Sequence, residues 1–293
     1  MKYVIVMPAF NESQRIGDTL QSLTRQTMQP RQLIVVIDNS TDNTAQVVES
    51  FAHSYPWIRL LHHLSQPSHA PGAKVVRAFD AGFKTIQEDF DFVVKMDADL
   101  ELPPEYFERV SRLFDRDARV GIAGGIYLIE NNGQWVQESY ADLDHVKGPC
   151  KAYRKACFEA IGGLRESVGW DSVDEMLALY HGWKVRTDGQ LQVKHLRHRG
   201  TETGLVRVMV KIGHSFYRMR YGLFIALISA GKAGLLNRPY VISGIAVLFG
   251  FLQAWARRDR FIVDPAEGRF IRRYRRRRML QKLTPRALTA AHR

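Results

Sequence analysis

The chain has 293 residues, 45% hydrophobic and 25% charged, which suits one large folded domain or two small ones and excludes a disordered chain. Its formal charge of +12 sits at one end: from Arg257 onward 13 Lys or Arg face only Asp259, Asp264 and Glu267, so the rest is nearly neutral and carries no basic nucleic-acid track. Two cysteines, Cys150 and Cys157, lack a CxxC spacing or a matching His pair, which excludes a disulfide framework and a zinc site and points to a reducing compartment.

Short runs rich in Val and Ile read as strands at residues 3–7, 32–38, 58–63, 92–97 and 120–129. The first apolar run is only five residues long before Pro8, too short for the apolar core of a secretory signal, so no export is expected. Ile16, Leu20 and Leu23 define one helix face, and Val47, Val48 and Phe51 define another after a cap at Ser40 or Thr41. This βαβαβ opening predicts an α/β fold with a mostly parallel sheet covered on both faces, whose ligands bind beyond the carboxyl ends of its strands. Past residue 130 the pattern turns irregular. A loop is read through VKGPCKAYRKACFEAIGGL, with Gly162 and Gly163 ending a helix, followed by a helix at 172–181 and an extended stretch at 183–196.

The stretch VVKMDADLELPP places Asp97 and Asp99 where the fourth strand stops. Strand side chains alternate, so both acids would project to one side and small Ala98 to the other. Two carboxylates so placed suit Mg2+ or Mn2+, which take one or two protein acids and complete their shell with phosphate oxygens and water. A D-x-D pair also serves as a helix cap or a solvated loop.

Three segments in order, VIVMPAFNE, VVIDNSTDNT and VKMDADLELPP, followed by KGPCKAYRKACFEAIGGLRESVGWDSVDE, resemble the family 2 glycosyltransferases over residues 1–200. The resemblance implies a GT-A, Rossmann-like sheet flanked by helices, a nucleotide-sugar donor, and inverting transfer. It implies that Pro8, Ala9, Phe10 and Glu12 wrap the nucleotide, that Asp38 meets the base, that Lys74 or Arg77 lies near phosphates or sugar, and that Asp97 contacts donor and metal. Asp99 and His195 would join Asp97 at the metal. The family often has Asp-Asp where this chain has Asp38-Asn39, which loosens the expectation of uracil. The resemblance also implies a catalytic base at the start of a helix behind the acceptor loop, a position that Asp171 matches when counted back from Gly182 and Trp183, with Asp174 second and Glu175 also in reach. Both aspartates could instead complement the helix N-terminus. Gly148, Pro149 and Cys150 would form the small-residue acceptor loop. His198, three residues past His195, is a further nearby histidine.

The expected organisation is a transferase domain at 1–204, with a donor half (1–104) and an acceptor half (105–204), then a helical, apolar and Arg-rich membrane-associating region at 205–293. Residues 240–256 are uncharged, at the lower limit for crossing about 30 Å of hydrocarbon, and are flanked by Arg238 and by Arg257 and Arg258. That favours helices lying in or dipping into the interface over a span, with a buried core helix as the alternative. RFIRRYRRRR holds seven arginines in ten residues and reads first as attraction to anionic lipid headgroups. Nucleic acid is disfavoured, because aromatic interleaving is limited to Phe270 and Tyr274. The expectation is therefore an enzyme at the cytoplasmic face of the cell membrane, peripheral or monotopic. It would move a sugar from a UDP- or GDP-sugar to a hydroxyl of a lipid-linked or cell-envelope glycan precursor. The rivals are a sugar-nucleotide pyrophosphorylase, which needs a Gly-rich loop where PAFNESQR stands, and a silent nucleotide-sugar-binding membrane adaptor.

Overall fold

The computed structural model describes residues 1–65, 72–138, 144–197, 204–236 and 239–283. The chain divides into two compact units, residues 1–166 with 170–200, and residues 167–169 with 201–293.

In the first unit, β1 (Tyr3–Ala9), β2 (Gln32–Asp38), β3 (Ile58–His63) and β4 (Phe92–Met96) form parallel neighbours in the order β3-β2-β1-β4. Every residue of β2 and β4 is buried, as continuous Val/Ile strands covered on both faces should be. Helix α1 (Ile16–Thr24) buries Ile16, Leu20 and Leu23, the face read from the sequence. Helix α2 (Thr44–Ser54) buries Val48, but its cap differs from expectation. The Asp42 carboxylate accepts from the Thr44 amide (3.1 Å), while Ser40 accepts from the Asn11 amide (3.1 Å) and the Thr41 amide donates to the Asn11 side chain (2.8 Å). Those residues tie one loop to another. Helix α3 (Ala73–Phe83) follows β3.

The fourth strand ends one residue earlier than expected. After a bend at residues 97–99 the chain forms β5 (Leu100–Glu101), then α4 (Tyr106–Arg116), β6 (Val120–Asn131) and the hairpin strand β7 (Gln134–Gln137). The segment read as a loop contains β8 (Cys150–Arg154) and α5 (Lys155–Ala160). Beyond it lie α6 (Trp170–Tyr180) and β9 (Lys184–His195). The sheet continues from β4 as β8-β6-β9-β5, with β8 antiparallel to both neighbours and β6 parallel to β9. Strands β4 and β5 are thus four strand spacings apart in the sheet, about 19 Å if it were flat. The chain from Met96 to Leu100 reaches at most about 14 Å. The sheet must curl back until its far edge returns to the end of β4. Thr19 fixes that bend, its hydroxyl donating to the Ala98 carbonyl (2.9 Å) and accepting from the Leu100 amide (3.0 Å).

The second unit holds α7 (Leu205–Arg218), α8 (Gly222–Leu236), α9 (Ile242–Ala256) and α10 (Pro265–Leu283). Gly213 of α7 lies against the Val247 carbonyl of α9, and Gly250 of α9 against the Val210 carbonyl of α7, so closely that a Cβ at either would collide with backbone. Helix α10 starts on a reciprocal cap: Asp264 accepts from the Glu267 amide (2.8 Å), and the Glu267 carboxylate accepts from the Asp264 amide (2.6 Å). Among the described residues no helix is long and apolar enough to cross a membrane. Arg238 and His198 lie outside the described residues.

Candidate active site

The loops leaving β1, β2 and β4 all stand at the carboxyl ends of adjacent parallel strands. Pro8 and Ala9 close β1 beside Val36 and Ile37, and Phe10 is exposed. Asn11 then takes a positive φ of 53°, which Asn tolerates through its short polar side chain, and this turns Glu12 inward to burial. The Glu12 amide donates to the Thr44 hydroxyl (2.8 Å) and the Ser13 amide to Asp42 (3.1 Å), so the first two loops interlock. Burial works against the Asp42 carboxylate, yet hydrogen bonds from Thr44 and Ser13 hold its pKa at about 2. Asp38, at the end of β2, accepts from both the amide (3.1 Å) and hydroxyl (3.0 Å) of Ser65, and Asn39 at φ 59° donates to the Ser65 carbonyl (2.8 Å).

Asp97 and Asp99 are brought together by the bend and not, as expected, by alternation along one strand. Asp97 pairs with Lys95, and its amide donates to the Pro149 carbonyl (2.7 Å). Asp99 is buried, with His195 Nε2 at 3.4 Å and Arg197 Nε at 3.0 Å from its Oδ2. Burial would raise the Asp99 pKa, but these contacts outweigh it and hold the carboxyl below its usual range. Arg197 also pairs with Glu12 Oε1 and so bridges two acids; Glu12 stays raised, because its burial outweighs that contact. Glu12 Oε2 and His195 Nδ1 are buried without a partner. Among the described residues no three His, Cys, Asp or Glu side chains are grouped to hold an ion. The donor types nonetheless fit a hard divalent cation, with two carboxylates and an imidazole in mutual electrostatic contact beside two unpartnered buried polar atoms. In this arrangement Lys95 and Arg197 supply the countercharge.

The segment at Gly148 and Pro149, expected to meet the acceptor, is joined to the same bend. Lys95 Nζ donates to the Gly148 carbonyl (3.2 Å) and lies 4.9 Å from the centre of the Trp170 ring. A Cβ on Gly148 would come within 3.0 Å of Asp171 Oδ2 and 3.3 Å of Trp170, so any larger residue there would have to push the Asp171 and Trp170 side chains aside. Asp171 opens α6, half-buried. Cys150 departs from expectation: it begins β8, fully buried and paired with Met96, and is a sheet residue rather than part of an open loop.

Asp174 and Glu175 belong to a buried network. Lys151, fully buried, donates to the Asp171 carbonyl (2.6 Å) and to Asp174 (3.0 Å) and lies 3.1 Å from Glu175. Asp174 also accepts from the Tyr153 hydroxyl (2.5 Å), and Glu175 accepts from the Val146 amide (2.8 Å) and meets His145 (2.8 Å). Burial pushes Asp174 up to about 7. For Lys151 burial works downward, but the carboxylates around it outweigh that and raise it. Arg77 pairs with Glu166 (2.8 Å), and Lys74 is exposed on the first turn of α3.

Sequence reasoning missed Lys95, Lys151, Trp170 and Arg197. Lys95 left a signal, since a lysine inside the buried strand FVVKM demands a partner. The others left none, because their partners are remote in sequence.

A curled, mostly parallel sheet with acids at its carboxyl edge defines a GT-A domain, and solved structures agree. A mannosyltransferase from Pyrobaculum calidifontis in complex with GDP-Man and Mn2+ superposes with a TM-score of 0.61 at 16% identity, covering 88% of each chain. Residues 1–349 of S. aureus TarS with UDP-GlcNAc give 0.55 at 18% identity, covering 72% of this chain and 66% of that one. Residues 4–162 match the sequence profile of Glycosyl transferase family 2, and the chain belongs to that family. A glycosyltransferase of Escherichia coli K12, YibD, is 30% identical over 107 residues, 36% of this chain and 28% of that protein. The undecaprenyl-phosphate 4-deoxy-4-formamido-L-arabinose transferase of Proteus mirabilis is 32% identical over 114 residues, 37% and 32% of the respective chains. The chain spans about a third of the length of these curated relatives.

Proposed function

We propose that the protein is an inverting, divalent-metal-dependent glycosyltransferase that moves a sugar from a nucleoside diphosphate to an acceptor hydroxyl on a lipid-linked or cell-envelope glycan precursor. The observation that supports this best is the junction at residues 148 and 149: one short loop touches Asp97, Lys95 and Asp171 together. It joins a donor acid to a half-buried carboxylate through a glycine whose Cβ would crowd Asp171.

In this reading Asp38 and the residues 8–12 loop receive the nucleoside, and Asp97, Asp99 and His195 hold Mg2+ or Mn2+. When bound, that ion neutralises charge developing on the departing diphosphate. Asp171 takes the proton from the acceptor hydroxyl as its oxygen bonds to C1; the C1–O bond to phosphate breaks, its electron pair leaving with the nucleoside diphosphate. Asp174, committed to Lys151 and Tyr153, serves the scaffold. UDP is the favoured carrier and GDP the second, in keeping with the UDP-GlcNAc and GDP-Man bound by the two structural neighbours. Residues 205–293 associate with a membrane carrying anionic lipids, at its cytoplasmic face. Relatives named for undecaprenyl-phosphate and dolichyl-phosphate transfer support a lipid-linked acceptor. The test is metal-dependent turnover of UDP- and GDP-sugars with Asp99→Ala as control. Binding of either donor with no turnover in Mn2+ or Mg2+ would favour the silent adaptor instead, and failure to bind either donor would overturn both readings.

A further inference from the structure

Helix α9 inverts the usual globular pattern. Its inward face is mostly small, with Ser243, Gly244, Ala246, Gly250 and Ala254 buried beside Val247 and Phe251, and Gly244 approaches the backbone of α8 at Ala230 and Gly234. Its outward face is large and apolar: Ile242, Ile245, Phe249, Leu252 and Trp255 recur at helical spacing, each between 46% and 64% exposed. Small residues inside, permitting close backbone contact, and large apolar residues outside are how helices pack when their surroundings are hydrocarbon rather than water. Helix α8 repeats the pattern with Leu223, Phe224, Leu227 and Leu235 exposed.

We infer that α8 and α9 lie in the plane of one leaflet of an anionic bilayer, with the α9 stripe in the acyl region and the arginines of α10 at the phosphates. This rests on the membrane reading above and specifies its geometry. Crossing is excluded by length, since fifteen residues make about 22 Å of helix against roughly 30 Å of hydrocarbon. End-on insertion is opposed by Lys232, which is exposed near the C-terminal end of α8, where a hairpin standing on its tip would carry it deepest. Lying flat, its four-carbon stem reaches the headgroups. The even exposure along α9 likewise describes a face and not a tip. The occupant is chosen by charge. Arg276 lies 5.8 Å from the Phe224 ring, so the basic face of α10, with Arg269, Arg273 and Arg277, borders the apolar face of α8. A second copy of the chain would set this guanidinium row against its own like, whereas anionic headgroups complement it.

The test places nitroxide labels at Ile242→Cys and Leu252→Cys on the full chain; Cys150 and Cys157 are buried. Label depth is measured on phosphatidylcholine vesicles with and without phosphatidylglycerol. In-plane embedding predicts binding that needs phosphatidylglycerol and weakens with salt, with the two labels at equal shallow depth. End-on insertion would separate them by about 15 Å and would overturn the inference while leaving membrane association intact. No vesicle binding would overturn both. Phe249→Asp should lower partitioning about tenfold or more, and the exposed pair Arg273→Gln and Arg277→Gln should weaken binding to phosphatidylglycerol vesicles about tenfold or more while binding to phosphatidylcholine alone changes little. A lipid-free dimer that Phe249→Asp converts to monomer would assign the face to self-association and refute the proposal.

Discussion

Lys151→Met should separate scaffold from chemistry. The ammonium is fully buried between Asp174 and Glu175, both also buried, so its loss strands two carboxylates away from water. Breaking a buried pair in this way typically costs 3–5 kcal/mol. Here each acid keeps two other donors, Tyr153 and the Glu175 amide for Asp174, His145 and the Val146 amide for Glu175. The loss should therefore fall at the lower end, about 3 kcal/mol, or a melting shift of roughly 6–12 °C for a unit of this size. The loss should also depend on pH. Burial already raises Asp174 to about 7, and without Lys151 the folded form would hold that proton more tightly still. Since the folded-state pKa exceeds the unfolded value, proton binding favours the folded form. That contribution is complete at low pH and disappears as pH rises through the raised value, so the variant's deficit should be larger at pH 8 than at pH 5. Urea unfolding followed by tryptophan fluorescence measures both. The combined Lys151→Met, Asp174→Asn, Glu175→Gln variant should recover more than half of the loss, because no unpaired charge remains. A single-variant loss below about 1 kcal/mol, or a combined variant no better than the single one, would refute this account of the network.

Asp171→Asn should lower kcat by about 10²–10⁴ with a hydroxyl acceptor while donor affinity stays within threefold; an already anionic lipid-phosphate acceptor has no proton to lose and would show no such drop. Gly148→Ala forces a Cβ to about 3 Å from the Asp171 carboxylate and should cut kcat more than tenfold while the melting temperature moves little. Arg197→Ala frees Asp99 and Glu12 from their bridging guanidinium, so Mn2+ titrated into the variant and followed by electron paramagnetic resonance should bind several-fold tighter. Asp42, held at about 2 against an unfolded value of 3.8, contributes stability that is present above the unfolded value and lost as pH falls toward 2. Asp42→Asn should flatten the acid limb of a urea-midpoint profile between those values.

Strands β1, β2 and β4 were legible because each is a nearly continuous apolar run rich in Val and Ile that the sheet buries, whereas β3, IRLLHH, is mostly half-buried or exposed and was legible from its short apolar core after α2. The break between β4 and β5 was not, since DADLE reads as a single extended piece until the distant β9 claims its second half. Strand β8 was missed for a related reason. CKAYR carries a lysine that looks solvated, and only Asp174 and Glu175, more than twenty residues later, make burying it tolerable. Asp171 could be counted from its helix, but its contact with Gly148 is a tertiary fact. The apolar character of residues 240–256 was plain, whereas the division of α9 into a small face and a large one required knowing which neighbours it meets.

The curl of the sheet makes the acids a seam. Asp97 terminates the middle of the array and Asp99 begins its last edge, and that edge is stitched by two residue pairs, Leu100 with His195 and Glu101 with Lys194. His195 and Arg197, the groups that answer Asp99, lie on or just beyond the same stitch. If these acids hold the proposed cation, its affinity would be inseparable from how tightly the array is closed. Loosening a two-residue strand would disarm the pair without altering either aspartate.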